Sequence, residues 1–406
     1  MKLTFAELKN RLSGLVIYRA AATDAPLAAL LELVVAAEDV DSPNDAVACE
    51  CRPLYAAFLE ALYRAGGDLG LYLADLLTAD DNFYVRRVAA GGSVTEEMKA
   101  CFMQELAFFT ELSALSCVEL LTLLGLPRAL PQYATTPQDF TSLIPARLAD
   151  ATRYGYGDFA RYAMFRVVGE GKIMPVLSPD PVRFEDLVGY ENEREEVVRN
   201  TRALLAGLPA ANALLCGDAG TGKSATVKAT VNRFFSEGLR LIEIRKDQLA
   251  LLPEIMGQLS ENPLKFILFC DDLSFSSDDD GYAALKAVLE GSATARVPNA
   301  VIYATSNRRH LVRESFSSRE GDDVHRRDTM EEMLSLSARF GLTVLFSRPP
   351  KALYLEIVRT LAGEKNIALP TAELDRLAEA FALAKGGRSA RVAAQFVDSI
   401  LAGNLN

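Results

Sequence analysis

Gly217-Asp-Ala-Gly-Thr-Gly-Lys223-Ser224 is the stretch whose reading decides the fold. It fits the spacing G-x-x-x-x-G-K-[ST] at every fixed position. Ala213-Leu-Leu-Cys216 before it is a short apolar run, and Ala225-Thr-Val-Lys-Ala-Thr-Val-Asn-Arg-Phe-Phe235 after it has helical spacing. Strand, glycine-rich loop and helix in that order make a cradle for phosphate. Gly217, Gly220 and Gly222 permit a tight turn whose main-chain N–H groups point inward, with Asp218, Ala219 and Thr221 between them. The helix that opens around Ala225 presents its positive end to the same place. Lys223 adds a charge for the β- and γ-phosphates, and the Ser224 hydroxyl is placed for Mg²⁺.

The segments downstream come at the spacing of an α/β sheet. A second strand is expected at about 239–244. A third is Phe266-Ile-Leu-Phe-Cys-Asp271-Asp272, apolar until its two terminal acids. Acids at the C-terminal end of a parallel strand lie at the ligand edge of the sheet. There Asp271 can hold Mg²⁺ through water, and Asp272 can orient an attacking water as base. The fourth strand, Ala300-Val-Ile-Tyr-Ala304, leads to Asn307, an amide that can sit between the γ-phosphate and that water. Arg308, Arg309 and Arg313 follow as a basic cluster, either plain surface charge or a group with a subunit-contact or nucleotide-sensing role. The fifth strand is expected at about 342–346. The run 276–280 reads as a solvated acidic loop and 319–327, with His325, as a mobile one. Helices at 353–362, 371–384 and 389–401 close the chain, and Arg388 or Arg391 at the opening of the last can bring a guanidinium to the phosphates from a separate small domain.

Upstream, Val188-Gly-Tyr190 is a short apolar turn before a helix, about 30 residues ahead of the phosphate loop. It is either an ordinary helix entry or the wrapping of an adenine. Gly169 to Pro175 and Ser178-Pro-Asp-Pro181 read as a linker. The expected domains are therefore 1–177, 178–350 and 351–406. The first is rich in Ala and Leu with helical spacing almost throughout; one helix is expected from Glu96 to Leu124, with Asp24 and Ser93 as N-caps and Gly125 as a stop. Arg153 to Arg166 is aromatic and basic, either a stacking surface for nucleic acid or a helix packing its aromatics.

Half of the 406 residues are apolar, so large cores can form, and the net charge is −11. The acidic excess is shared by both halves, which argues against generic affinity for nucleic acid. Six cysteines lack metal-ligand spacing and suit a reducing compartment. No run reaches the ~18–20 apolar residues needed to span a bilayer, and the first residues show no basic-then-apolar pattern. The chain reads as cytoplasmic.

These strings resemble the AAA+ ATPase superfamily over about 180–406. The resemblance rests on Gly217–Ser224, Asp271-Asp272, Asn307, Ser337-Ala-Arg339-Phe-Gly341 and Arg388 or Arg391. Within it the chain is most similar to a bacterial family called domain of unknown function 815, through Phe184-Glu-Asp-Leu-Val-Gly-Tyr190, Cys270-Asp-Asp-Leu-Ser-Phe275 and Tyr303-Ala-Thr-Ser-Asn-Arg-Arg-His-Leu311. The resemblance implies an α/β P-loop core with five parallel strands between helices, a C-terminal helical lid, ATP and Mg²⁺ as ligands, and a ring of subunits formed with ATP, for which a hexamer is one count. In such a ring Arg339 would reach the γ-phosphate held by the neighbour. The implied activity is ATP hydrolysis coupled to remodelling or assembly of a macromolecule recruited by the helical N-terminal domain. The alternatives are a slow nucleotide-dependent switch or scaffold, and a DNA-processing ATPase. Two departures bear on this: Asp272 stands where many relatives have Glu, and Lys246 to Pro253 lacks an aromatic–apolar–Gly pore loop.

Overall fold

The computed structural model describes residues 4–38, 45–273, 280–290, 297–307 and 338–403. The chain forms two compact units, Met1–Arg161 and Tyr162–Asn406.

The first unit is helical. Its helices start where short polar side chains cap them: Thr4 and Ser116 form reciprocal capping boxes with Glu7 and Glu119, and Asp68, Asn82 and Thr95 cap Leu69–Thr78, Phe83–Ala89 and Glu96–Ser113. Two expectations are corrected here. The cap before Glu96 is Thr95 and not Ser93. The helix expected over 96–124 is two, Glu96–Ser113 and Cys117–Leu123, bent by 101° where Ser116 starts the second. Gly125 does close the pair, with φ +65°. A buried acid fixes the entry of the chain: the Glu105 carboxylate accepts the main-chain N–H groups of Val16, Ile17 and Tyr18 at 2.7, 3.1 and 2.9 Å. Around it Tyr84 stacks on Phe102 at 4.2 Å between ring centres, and Phe109 meets Tyr18 edge-on. Arg153 to Arg166 is not one helix. Gly155 and Gly157, both at positive φ, separate Ala151–Tyr154 from Asp158–Arg161, and the Tyr154 ring lies near two guanidinium groups, Arg147 at 4.4 Å and Arg153 at 5.3 Å. Among the described residues no single helix is long and apolar enough to cross a membrane.

The second unit is built on one sheet of seven strands among the described residues: β1 Met164–Val168, β2 Lys172–Pro175, β3 Ala213–Gly217, β4 Leu239–Glu243, β5 Lys265–Cys270, β6 Ala300–Ser306 and β7 Leu342–Phe346. Their order is β2-β1-β4-β5-β6-β3-β7, and only β1 and β2 run antiparallel. The five strands expected from the sequence are β3 to β7. The other two come from the stretch read as an aromatic segment and a linker. Met-Phe-Arg-Val-Val has the β-branched and aromatic content of a strand, and Gly169 and Gly171, at φ +56° and +104°, turn it back into β2. The sheet unit thus begins at Tyr162 and not at 178.

β3, β5 and β6 are apolar and almost wholly buried, as central parallel strands covered on both faces must be. β3 lies between β6 and β7, so the loop leaving it opens beside the C-terminal ends of its neighbours, the usual ligand edge of such sheets. Helices Glu191–Leu205 and Lys223–Phe234 contribute Val197, Val227 and Val231 to the apolar layer on one face. The last three helices, Lys351–Glu364, Thr371–Ala384 and Ala390–Leu401, have their own core around Tyr354, Val358 and Phe396. Phe396 is fully buried there. Replacing it by alanine is expected to cost about 3–5 kcal/mol, read as a lowered denaturant midpoint for this unit; an unchanged midpoint would show that the three helices do not share a packed core.

Candidate functional site

The loop between β3 and helix Lys223–Phe234 is shaped by glycine where nothing else fits. Gly217 has φ +134°, and a Cβ there would lie 2.0 Å from the Phe346 carbonyl oxygen of β7. Gly220 and Gly222 are also left-handed, and the place a Cβ of Gly222 would take is open. The main-chain N–H groups of Gly220 and Gly222 donate to no group among the described residues, and those of the first helical turn are unpaired by construction. This is a concave set of donors beside a helix start, suited to an anion.

Lys223 is buried and curls back over the loop. Its ammonium donates to the Gly217 and Asp218 carbonyls at 3.1 and 2.8 Å and to Asn307 Oδ1 at 3.0 Å. Burial pulls its pKa down; the nearby carboxylates, Asp218 first and then Asp272 and Asp271, pull the other way. The Asn307 amide nitrogen in turn donates to Asp272 Oδ1 at 2.6 Å. Lysine, amide and acid therefore form one chain across the ends of β3, β6 and β5. Beside it the Ser224 hydroxyl donates to Asp271 Oδ1 at 2.6 Å. A hydroxyl next to a carboxylate is a donor set that fits Mg²⁺, which is held by one or two carboxylates and completed by substrate phosphate oxygens and water. Among the described residues no group of three or more His, Cys, Asp or Glu could hold a metal by itself.

One residue of this constellation was missed in the sequence. Thr305, at the end of β6, donates to Asp271 Oδ1 at 2.5 Å and accepts the Asp272 N–H at 2.8 Å. It fixes both acids from the neighbouring strand, and with its help Asp272 takes a left-handed φ of +52°, a conformation that asparagine and aspartate tolerate best among residues with a Cβ. The signal was present: Thr305 is a polar residue at the end of a largely apolar strand, two positions before Asn307.

A cavity of about 160 Å³ adjoins the loop, bounded by Val188, Gly189 and Tyr190 on one side, Thr221 and Gly222 on another, and Ile357, Leu361 and Ala390 of the last helices on the third. That is well below the roughly 300–1,000 Å³ of pockets for drug-sized ligands and suits one flat ring system. Tyr190 packs on Phe346 at 5.4 Å and donates its hydroxyl to the Ser347 carbonyl at 2.6 Å; burial pushes its phenol up to about 12. Ala219 lies within the loop and Ala225 in the first helical turn.

The arginines divide. Arg391 stands at the loop: its N–H donates to the Gly220 carbonyl at 3.2 Å, and its Cβ lies 2.9 Å from where a Gly220 Cβ would be. Arg388 turns away and forms a two-pronged pair with Glu379 at 2.7 and 2.8 Å. Arg339 is paired with Glu290, at the end of helix Asp280–Glu290. A further arginine, Arg348, was not singled out in the sequence; its N–H donates to Asp218 Oδ2 at 3.1 Å and its guanidinium lies against Gly387. Arg308, Arg309, Arg313, His325 and the acidic run 276–279 lie outside the described residues.

No curated protein matches the sequence. A family model described as protein of unknown function, DUF815, matches residues 160–404. The chain belongs to this family. The DUF815 match covers the sheet unit and its three terminal helices and leaves out the helical unit before Arg161 almost entirely. Similar solved structures include the Thermotoga maritima RuvB Holliday junction branch migration motor, with 15% identity and a TM-score of 0.34, and a variant of the same protein with 13% identity and a TM-score of 0.35. Each match spans 54% of this chain and 64% of the other, less than two thirds of its length. The P-loop, AAA+-like character of the DUF815 unit is read from its own strand order and loop.

Proposed function

We propose that this DUF815 protein binds ATP with Mg²⁺ at the Gly217–Ser224 loop and hydrolyses it at a site completed by a second copy of the chain. The observation that carries the reading is the hydrogen-bonded chain Lys223–Asn307–Asp272 beside the Ser224–Asp271 pair. The phosphates would take the N–H groups of Gly220 to Ala225, and Lys223 would exchange its carbonyl partners for their oxygens. Bound Mg²⁺ would supply charge neutralisation at the β- and γ-phosphates from the side of Ser224 and Asp271. The Asn307 amide N–H would turn from Asp272 to the γ-phosphate, leaving the Asp272 carboxylate to accept the proton of the attacking water. The adenine would enter the cavity at Val188 to Tyr190. Arg391, whose main chain meets the loop at Gly220, would be the arginine that meets the phosphates, while Arg388 is held by Glu379.

Arg339 would act on the nucleotide of the adjoining subunit, which requires it to leave Glu290 as the ring assembles. The ring count and the macromolecule acted on belong to the same proposal: a client bound by the helical unit is remodelled or assembled as nucleotide is turned over. Polypeptide threading is not part of it, because Lys246–Leu251 forms a short helix with Gln248 and Leu249 buried. Two other readings share the nucleotide site. A slow switch would bind and assemble with little turnover, and the short Asp272 side chain favours it. A DNA-processing ATPase would show binding to DNA that weakens steeply with salt; no binding at low salt would remove that reading.

The test is Asp272→Asn. It keeps size and geometry and removes the base, so ATP affinity should stay within about twofold while turnover falls by about 10²–10⁴, the usual contribution of a positioned base. A variant as active as the parent would refute the role given to Asp272.

A further inference from the structure

Arg194 is one of five polar residues in Glu191-Asn-Glu-Arg-Glu195, at the start of a helix whose outer face is charged. It is nevertheless buried, 9% exposed. Its guanidinium faces main-chain carbonyls: Nη1 donates to Leu187 O at 2.6 Å and Phe184 O at 3.2 Å, Nε to Tyr190 O at 3.3 Å, and Nη2 to Gly189 O. Glu191, its one carboxylate partner among the described residues, is an exposed side chain at 3.0 Å. Burial of this charge is thus matched to the backbone of 184–190, the segment that walls the cavity.

That segment needs a clamp. Gly189 and Tyr190 are consecutive left-handed residues, at φ +77° and +62°, and Leu353 leaves no room for a side chain at Gly189. With the Leu187 and Gly189 carbonyls taken by Arg194, Val188 between them keeps a main-chain N–H and C=O that have no partner among the described residues. A donor and an acceptor on one residue at the cavity wall match the edge of adenine, which offers an amino donor beside a ring-nitrogen acceptor. Guanine offers a carbonyl acceptor and a ring N–H in the same places, the opposite order.

We infer that Arg194 is a positioning residue that makes the cavity selective for adenine, by fixing Leu187 and Gly189 so that the Val188 amide reads the base. The inference rests on the proposed nucleotide site and adds the origin of its base preference. Lysine cannot replace it, because the task needs a planar fork with several donors directed at once.

The experiment is calorimetric titration of the full chain with ATP, GTP and inorganic triphosphate, each with Mg²⁺, for the parent, Arg194→Met and Arg194→Lys. The parent should prefer ATP to GTP. Both variants should lose that preference, with ATP affinity falling about tenfold or more, the scale of one to two hydrogen bonds, while inorganic triphosphate binds as to the parent. An unchanged ATP-to-GTP ratio in Arg194→Met would overturn the inference. So would loss of triphosphate binding in both variants, since Arg194 would then support the whole site and not the base pocket. A parent chain that binds no triphosphate would instead defeat the phosphate-site reading beneath it.

Discussion

Lys223→Ala is expected to weaken ATP binding by about 2–5 kcal/mol, roughly 30-fold to several thousand-fold. The Lys223 ammonium is buried, has two loop carbonyls and Asn307 as partners, and stands where the phosphates would lie. Removing it deletes the charge in the loop and releases Asn307 onto Asp272 alone. Titration of the variant with ATP and Mg²⁺ reads the loss directly, and circular dichroism checks that the sheet unit has kept its fold. Retained affinity in a folded variant would sink the assignment of the loop as the phosphate cradle.

Arg339→Ala is expected to reduce ATP turnover of the assembled protein by up to about 10³–10⁵, the effect of an arginine supplied to a phosphoryl-transfer site by a neighbour. In a single chain Arg339 is tied to Glu290, so its loss should leave ATP affinity nearly unchanged. Glu290→Gln is the complementary variant. It weakens the hold on Arg339 without touching the loop, and should lower the protein concentration at which activity appears. The ion pair is partly exposed, so a shift of a few-fold is the scale to expect. If Arg339→Ala turns over ATP like the parent in the assembled state, the trans-acting role is wrong. If Glu290→Gln shifts nothing, the pair is structural and not a restraint on assembly.

The phosphate loop was legible in the sequence because its chemistry demands residue types at fixed spacing along the chain. Gly217, Gly220, Gly222, Lys223 and Ser224 lie within eight consecutive positions, and the terminal acids of β5 and the amide after β6 follow apolar runs of strand length. β1 and β2 were missed for a different reason. They join the sheet through β4, far along the chain, and the Gly169–Gly171 turn between them looked like a linker when nothing showed what Met164–Val168 would pair with. Thr305, Arg194 and Arg348 escaped for the same cause: each is defined by a partner on another element or by burial that its polar neighbours in sequence conceal. The choice between Arg388 and Arg391 depended on Glu379, nine residues before Arg388 on the preceding helix, which satisfies the one and leaves the other at the loop. The Glu96–Ser113 helix was drawn too long because apolar spacing continues through the bend, while Ser116, which starts the next helix, is decisive only with its capping partner Glu119.

The most direct test of the account is ATP turnover per subunit measured against protein concentration, with sedimentation on the same samples. The account predicts that specific activity rises as a larger species forms, because Asp272 and Asn307 of one copy need Arg339 of another. Turnover that stays constant per subunit while the protein remains a single chain would contradict a shared active site.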